Sequence, residues 1–111
     1  MIFPSLTSLD VSDNCIKTVP AALSFLSSLS VLNLSGNVGI ESLPPELGLL
    51  GKLWNLNLKG CSLRDPIRSM IKVDNYKTVD LIAYLKSILE EFVFLFFVCV
   101  SYKQILFRLN R

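Results

Sequence analysis

The side chains that could carry catalytic chemistry in this chain are few and scattered. The 111 residues include no histidine, which rules out histidine-assisted nucleophiles, histidine metal ligands and histidine pH switches. Asp10 and Asp13 form a D-x-x-D pair near the end of a predicted strand, and paired carboxylates can perform acid–base catalysis. Without a partner group nearby in the sequence, the simplest interpretation of this pair is a polar surface.

Cysteine usage points to a reducing compartment. The three cysteines, Cys15, Cys61 and Cys99, are an odd number and show no C-x-x-C spacing. Such a count favours reduced thiols in a cytoplasmic protein over a secreted disulfide framework or a zinc site.

A phosphate-binding loop is also missing from the sequence. Gly51-Lys52 could end a G-x-x-x-x-G-K-[ST] motif, but Glu46 stands at the first glycine position and Leu53 follows the lysine. The sequence contains no kinase glycine-rich loop, HRD or DFG motif. We therefore expect no catalytic residue, no metal and no cofactor, and the chain is predicted not to be an enzyme.

The composition indicates what kind of chain positions these side chains. Hydrophobic residues make up 51% and charged residues 18% of the chain, a balance that predicts a folded domain rather than disorder. The net charge of +2 is too small to indicate a nucleic-acid partner.

Three copies of one pattern repeat along the first half of the chain, in steps of 23 and 24 residues. The copies are SLTSLDVSDN, SSLSVLNLSGN and KLWNLNLKGC. Their apolar columns are Leu6, Leu29 and Leu53; Leu9, Leu32 and Leu56; and Val11, Leu34 and Leu58. A final column holds Asn14, Asn37 and Cys61.

The alternation within each copy predicts a short strand with its leucines on the inner side. After the strand, the chain turns through the interior, where an unpaired main-chain group costs about 1–3 kcal/mol. An asparagine side chain can both donate and accept, so Asn14 and Asn37 are predicted to form a buried structural ladder, continued by Cys61.

These columns match L-x-x-L-x-L-x-x-N/C-x-L, and residues 3–63 resemble the leucine-rich-repeat family, with Phe3 as the remnant of a preceding repeat. The resemblance implies an α/β fold, a solenoid whose short parallel strands line a concave face used for protein binding. The outward strand residues form the candidate partner-binding surface: Ser8, Asp10, Ser12, Val31, Asn33, Ser35, Asn55, Asn57 and Lys59. Trp54 is expected to pack on the rim.

The pattern fails after Leu63, which divides the chain into repeats (1–63), a helical cap (64–91) and a hydrophobic tail (92–111). Pro66 can begin a short helix, and Thr78 can cap a second one. In that second helix, Ile82, Leu85, Ile88 and Leu89 form an apolar stripe that would cover the exposed end of the repeats.

Two longer stretches are similar to the end of the repeat array in Roco-type proteins, which include the leucine-rich-repeat kinases. They are LPPELGLLGKLWNLNLKGCSLRDP and TVDLIAYLKSILEE. The resemblance implies that a Roc GTPase domain, a COR segment and often a kinase domain follow in a longer parent chain.

The tail FVFLFFVCVSYKQILFRLNR leaves several interpretations open. The 92–109 segment could anchor a small membrane-tethered repeat protein, although about 20 apolar residues are needed to span a bilayer. It could instead lie at a membrane surface, add to the cap, or arise from a truncated gene prediction. The favoured function is a non-catalytic, cytoplasmic protein-interaction module whose partner the sequence does not identify.

Overall fold

A computed structural model describes residues 5–73 and 76–109, so the predicted remnant at Phe3 lies outside the described residues. Three strands come first, separated by two 3₁₀ helices, and two α-helices follow. The strands are β1 (Ser8–Asp10), β2 (Val31–Asn33) and β3 (Asn55–Asn57). The 3₁₀ helices are Ala21–Phe25 and Pro45–Leu49, and the α-helices are α1 (Ile67–Lys72) and α2 (Thr78–Leu109).

The strands form one parallel sheet in the order β1-β2-β3. Leu9 lies opposite Leu32, which lies opposite Leu56, so the column predicted from the sequence is the register of the sheet. The prediction of an α/β fold with short parallel strands is confirmed.

The core lies between the sheet and the 3₁₀ helices. Leu32 and Leu56 are almost fully buried, whereas Leu9 is only partly buried because the described structure places no strand beyond β1. Each residue of the core belongs to a repeat column or to the cap, and the members are Val19, Leu29, Leu32, Leu34, Ile40, Leu43, Leu47, Leu50, Leu53, Leu56, Leu58, Leu63, Ile67, Leu81, Ile82 and Leu85.

Helix α2 packs against the second 3₁₀ helix through a contact that requires glycine. A Cβ atom at Gly48 would stand 2.4 Å from the backbone nitrogen of Lys86 and 2.6 Å from its Cα atom. The equivalent residue one repeat earlier is Ser24, which shows that the repeat itself does not demand glycine. Gly48 therefore allows α2 to lie directly on the main chain of the last repeat.

The same helix continues through the predicted boundary at residue 91 without a break. Leu81 and Leu85 near its start are buried, whereas the side chains from Phe92 to Val98 are between 48% and 68% exposed. Among the described residues, none of the helices combines the length and the apolar character needed to cross a bilayer.

Candidate functional site

The outward face of the sheet carries the predicted partner-binding residues, and it is open to solvent. Asp10, Asn33 and Asn57 lie side by side in the register of the three strands. The residues of β1 and β3 on this face are exposed, and those of β2 are half-buried between them. The full set is Ser8, Asp10, Ser12, Val31, Asn33, Ser35, Asn55, Asn57 and Lys59.

The central row of this face has a structural use that the sequence analysis missed. Each of its three side chains accepts a hydrogen bond from the main-chain N–H two residues later, which closes an Asx turn at the end of each strand. The distances are 3.0 Å from Ser12 N to Asp10 Oδ1, 3.0 Å from Ser35 N to Asn33 Oδ1, and 3.1 Å from Lys59 N to Asn57 Oδ1. In each repeat, an aspartate or asparagine on the strand is followed two residues later by a serine or lysine, and this pattern could have predicted the Asx turns.

The Asx turn at Asp10 also fixes its charge. The hydroxyl and then the main-chain N–H of Ser12 hold the pKa of the Asp10 carboxyl below its ordinary value. Asp10 is fully exposed and remains ionised near neutral pH, so this end of the outward face is anionic.

Behind the sheet, Asn37 is completely buried and bonds in two directions. Its Oδ1 atom accepts from the N–H groups of Asn14 at 2.9 Å and Ile16 at 3.0 Å. Its Nδ2 group donates to the carbonyl oxygens of Leu34 at 2.8 Å and Val11 at 3.0 Å. Three of these four partners belong to the preceding repeat, so Asn37 joins two repeats through their main chains.

Cys61 occupies the same position one repeat later and makes a weaker version of this link. Its thiol donates to the carbonyl oxygen of Leu34 at 3.3 Å. Partial burial raises the pKa of the Cys61 thiol, which favours the protonated form that can donate.

The prediction of a buried rung at Asn14 is wrong. Asn14 is exposed, and its side chain makes one local bond, from Nδ2 to the carbonyl oxygen of Ser12 at 2.9 Å. A side chain in this column is buried by the repeat before it, and the described residues contain no complete repeat before the first one.

Trp54 also differs from its predicted place on the rim. It directly precedes Asn55, the first outward residue of β3, and 64% of its surface is exposed. Its main-chain N–H donates to the carbonyl oxygen of Ser30 at 3.0 Å, so the backbone is held while most of the side chain is exposed.

Beyond the carboxyl end of β3, the outward face continues into two adjoining clefts of about 350 and 410 Å³ in front of α1. Lys59, Arg68 and Lys72 supply the charges that line them. The nearby Asp65 carboxyl has a lowered pKa, chiefly through the Ser69 hydroxyl and further through the charges of Arg68 and Lys72. The clefts are therefore cationic with one carboxylate at their margin.

Parallel strands linked by a leucine column and an internal asparagine define the class of the protein. A family profile described as "Leucine rich repeat" matches residues 4–63, more than half of the chain. The chain belongs to the leucine-rich-repeat family.

Two curated relatives make the resemblance more particular. The chain is 52% identical over 91 residues to a leucine-rich repeat serine/threonine-protein kinase 1 from Caenorhabditis elegans, a match that covers 82% of this chain. It is 42% identical over 59 residues, 53% of the chain, to the protein of the same name from Mus musculus. The matches cover only 4% and 3% of the lengths of these relatives, so the resemblance to the repeats of leucine-rich-repeat kinases concerns a small segment of each.

Proposed function

We propose that this chain is a non-catalytic protein-interaction segment that belongs to the repeat array of a Roco-like signalling protein. Membership in the leucine-rich-repeat family supports an interaction role, because stacked repeats build extended binding surfaces. The similarity to two leucine-rich repeat serine/threonine-protein kinases supports a longer parent chain. The resemblance to Roco-type proteins implies that a GTPase domain follows in that chain. Three cysteines without a disulfide fit a cytoplasmic location.

The observation that carries this proposal is the exposed indole of Trp54 at the start of the open β3 face. Tryptophan is enriched among the residues that dominate binding energies at protein interfaces. The cationic clefts lie at the other end of β3, and their Lys59 and Lys72 would attract an acidic segment of the partner. In the solenoid arrangement that the family implies, this is the concave face.

The experiment compares two exposed aromatic residues, one just before β3 and the other in the first 3₁₀ helix. Trp54→Ala removes the proposed anchor, and Phe25→Ala, at the end of the first 3₁₀ helix and 68% exposed, is the matched control. Each variant would be used as bait for co-purification with quantitative mass spectrometry. A partner lost with Trp54→Ala and retained with Phe25→Ala supports the proposal. A partner set that is unchanged by Trp54→Ala refutes this binding face.

The charge on the proposed partner is tested separately. Lys59→Glu with Lys72→Glu should weaken binding of the partner identified with the first pair of variants, and the loss should shrink as salt is raised. Lys17→Glu, an exposed lysine in the loop between β1 and the first 3₁₀ helix, is the control. Equal affinity of all three proteins would show that the cationic clefts take no part.

A further inference from the structure

The second half of α2 presents an apolar surface that nothing in the described structure covers. Four phenylalanines, at positions 92, 94, 96 and 97, are each 61–68% exposed. A phenylalanine side chain offers about 150–250 Å², so these four leave roughly 400–600 Å² of apolar surface in water. Positions 92 and 96 lie on one side of the helix, and positions 94 and 97 lie on the other. So much exposed apolar surface on one helical segment indicates an interaction site.

One stripe of this surface continues the contact that the start of α2 makes with the last repeat. Leu81, Leu85, Ile88, Phe92, Leu95 and Cys99 follow one another in steps of 4, 3, 4, 3 and 4 residues. This is the spacing of the contact seam in a left-handed helix pair. The first members of the seam, Leu81 and Leu85, are buried on the last repeat, while Phe92 and Leu95 are 61% and 56% exposed. The first part of the seam thus packs against the last repeat, and the second part continues along the same side of the helix with nothing packed against it.

The charges that flank the exposed part of the seam are opposite in sign. Glu90 and Glu91 precede it, and Lys103 and Arg108 follow it, all on the same continuous helix and all exposed. A second copy aligned in the same direction would place acid beside acid and base beside base. A second copy aligned in the opposite direction places the acidic end of each helix beside the basic end of the other.

We propose that two copies of this chain associate through an antiparallel pairing of their α2 helices, with Phe92, Leu95 and Cys99 in the contact seam. The pair is isologous, since each copy contributes the same stripe and the same two charged ends. The occupant of the apolar stripe is therefore a second α2 helix. Partner binding on the outward sheet face is a separate property of the chain.

The first experiment measures the mass of the full chain by sedimentation equilibrium in reducing buffer at micromolar concentration. The wild-type chain is expected at twice the 12.4 kDa of one copy. Phe92→Ser with Leu95→Ser, on the seam, should shift the mass to one copy. Phe94→Ser with Phe97→Ser removes two aromatic rings that lie off the seam on the same helix, and this variant should remain a dimer.

Circular dichroism melting of each variant confirms that the repeats stay folded, since the altered residues are exposed and lie beyond the buried part of the cap. A monomeric wild-type chain, or an equal effect of the seam and off-seam variants, overturns the proposal. Flotation of the monomeric wild-type chain with phosphatidylcholine vesicles would assign the apolar surface to lipid and would also overturn it.

The second experiment tests the direction of the pairing. Lys103→Glu places acid beside the Glu90 and Glu91 of the other copy and should raise the dimer dissociation constant about 10-fold. Adding Glu90→Lys and Glu91→Lys to that variant reverses both ends together and should restore the wild-type value. An unchanged dissociation constant for Lys103→Glu, or no restoration by the triple variant, contradicts the antiparallel arrangement.

Discussion

The phenolic hydroxyl of Tyr76 donates a hydrogen bond to the main-chain carbonyl oxygen of Leu56 at 3.2 Å. Thr78 contributes the matching bond, since its Oγ1 atom accepts from the Leu56 N–H at 3.3 Å. Leu56 is the central residue of β3, the last strand of the described sheet. Two side chains at the start of the cap therefore take the place of a fourth strand.

Removing either bond should destabilise the folded chain. Tyr76→Phe and Thr78→Val each leave one main-chain group of Leu56 without its partner, and we expect each to lower the free energy of unfolding by about 1 kcal/mol. Urea unfolding monitored by circular dichroism measures the change. Tyr84→Phe is the control, because the Tyr84 hydroxyl makes no hydrogen bond within the described part of the chain. Equal stability of the Tyr76→Phe and wild-type chains would contradict the edge-capping role.

The pH dependence of stability should also reveal Tyr76. Burial raises the pKa of its phenol above the ordinary value of 10. The folded state holds this proton more tightly than the unfolded state does. The contribution of Tyr76 to the free energy of unfolding is therefore complete below the unfolded pKa and declines as the pH rises through the folded pKa. Urea unfolding at pH 9, 10 and 11 should show a steeper loss for the wild-type chain than for Tyr76→Phe. Parallel curves for the two proteins would contradict this prediction.

Replacing Asn37 and replacing Asn14 should lower the free energy of unfolding by very different amounts. Asn37→Ala removes the four hydrogen bonds of 3.0 Å or shorter that this side chain makes and leaves buried main-chain groups of two repeats unpaired, so we expect a loss of about 3 kcal/mol or more. Asn14→Ala removes one exposed local bond and should cost less than about 1 kcal/mol. Thermal unfolding of the two variants provides the comparison. Similar costs for both would argue against a link between repeats through Asn37.

Two nearby glycines, Gly48 and Gly51, test the contact between α2 and the last repeat. Gly48→Ala introduces a Cβ atom that collides with the backbone of α2 at Lys86, and α2 must move away or shift. Gly51→Ala is the control, since its Cβ atom would meet no other atom within 4 Å. Hydrogen exchange of the Leu81–Leu85 amides should become faster in Gly48→Ala and stay unchanged in Gly51→Ala. Protected amides in both variants would mean that the contact tolerates a methyl group.

Much of the repeat fold was predictable because its interactions recur at a fixed spacing. The leucine columns gave the strand register correctly, since each residue packs against its own counterpart in the next repeat. The start of α1 next to Pro66 also followed from local sequence rules. Where each repeat has a neighbour, the sequence pattern and the structure therefore agree.

The features that were missed depend on contacts between distant segments. Asn14 carries the right residue type, but its burial depends on a repeat before it. Gly48 and Tyr76 acquire their roles only when α2 lies against the last repeat. Trp54 is a large apolar residue beside the core leucine Leu53, yet most of its surface is exposed. The use of the outward residues in binding remains a prediction.

The bonds of Asn37 reach backward along the chain to Asn14, 23 residues earlier, and Cys61 likewise reaches back to Leu34. Each turn is thus completed by a side chain that the ribosome adds about one full repeat later. During synthesis, the most recently made repeat therefore has unpaired main-chain N–H and C=O groups, whereas the repeat before it has just acquired its hydrogen-bond partners. Truncation from the carboxyl end should therefore damage a repeat that is itself intact in sequence.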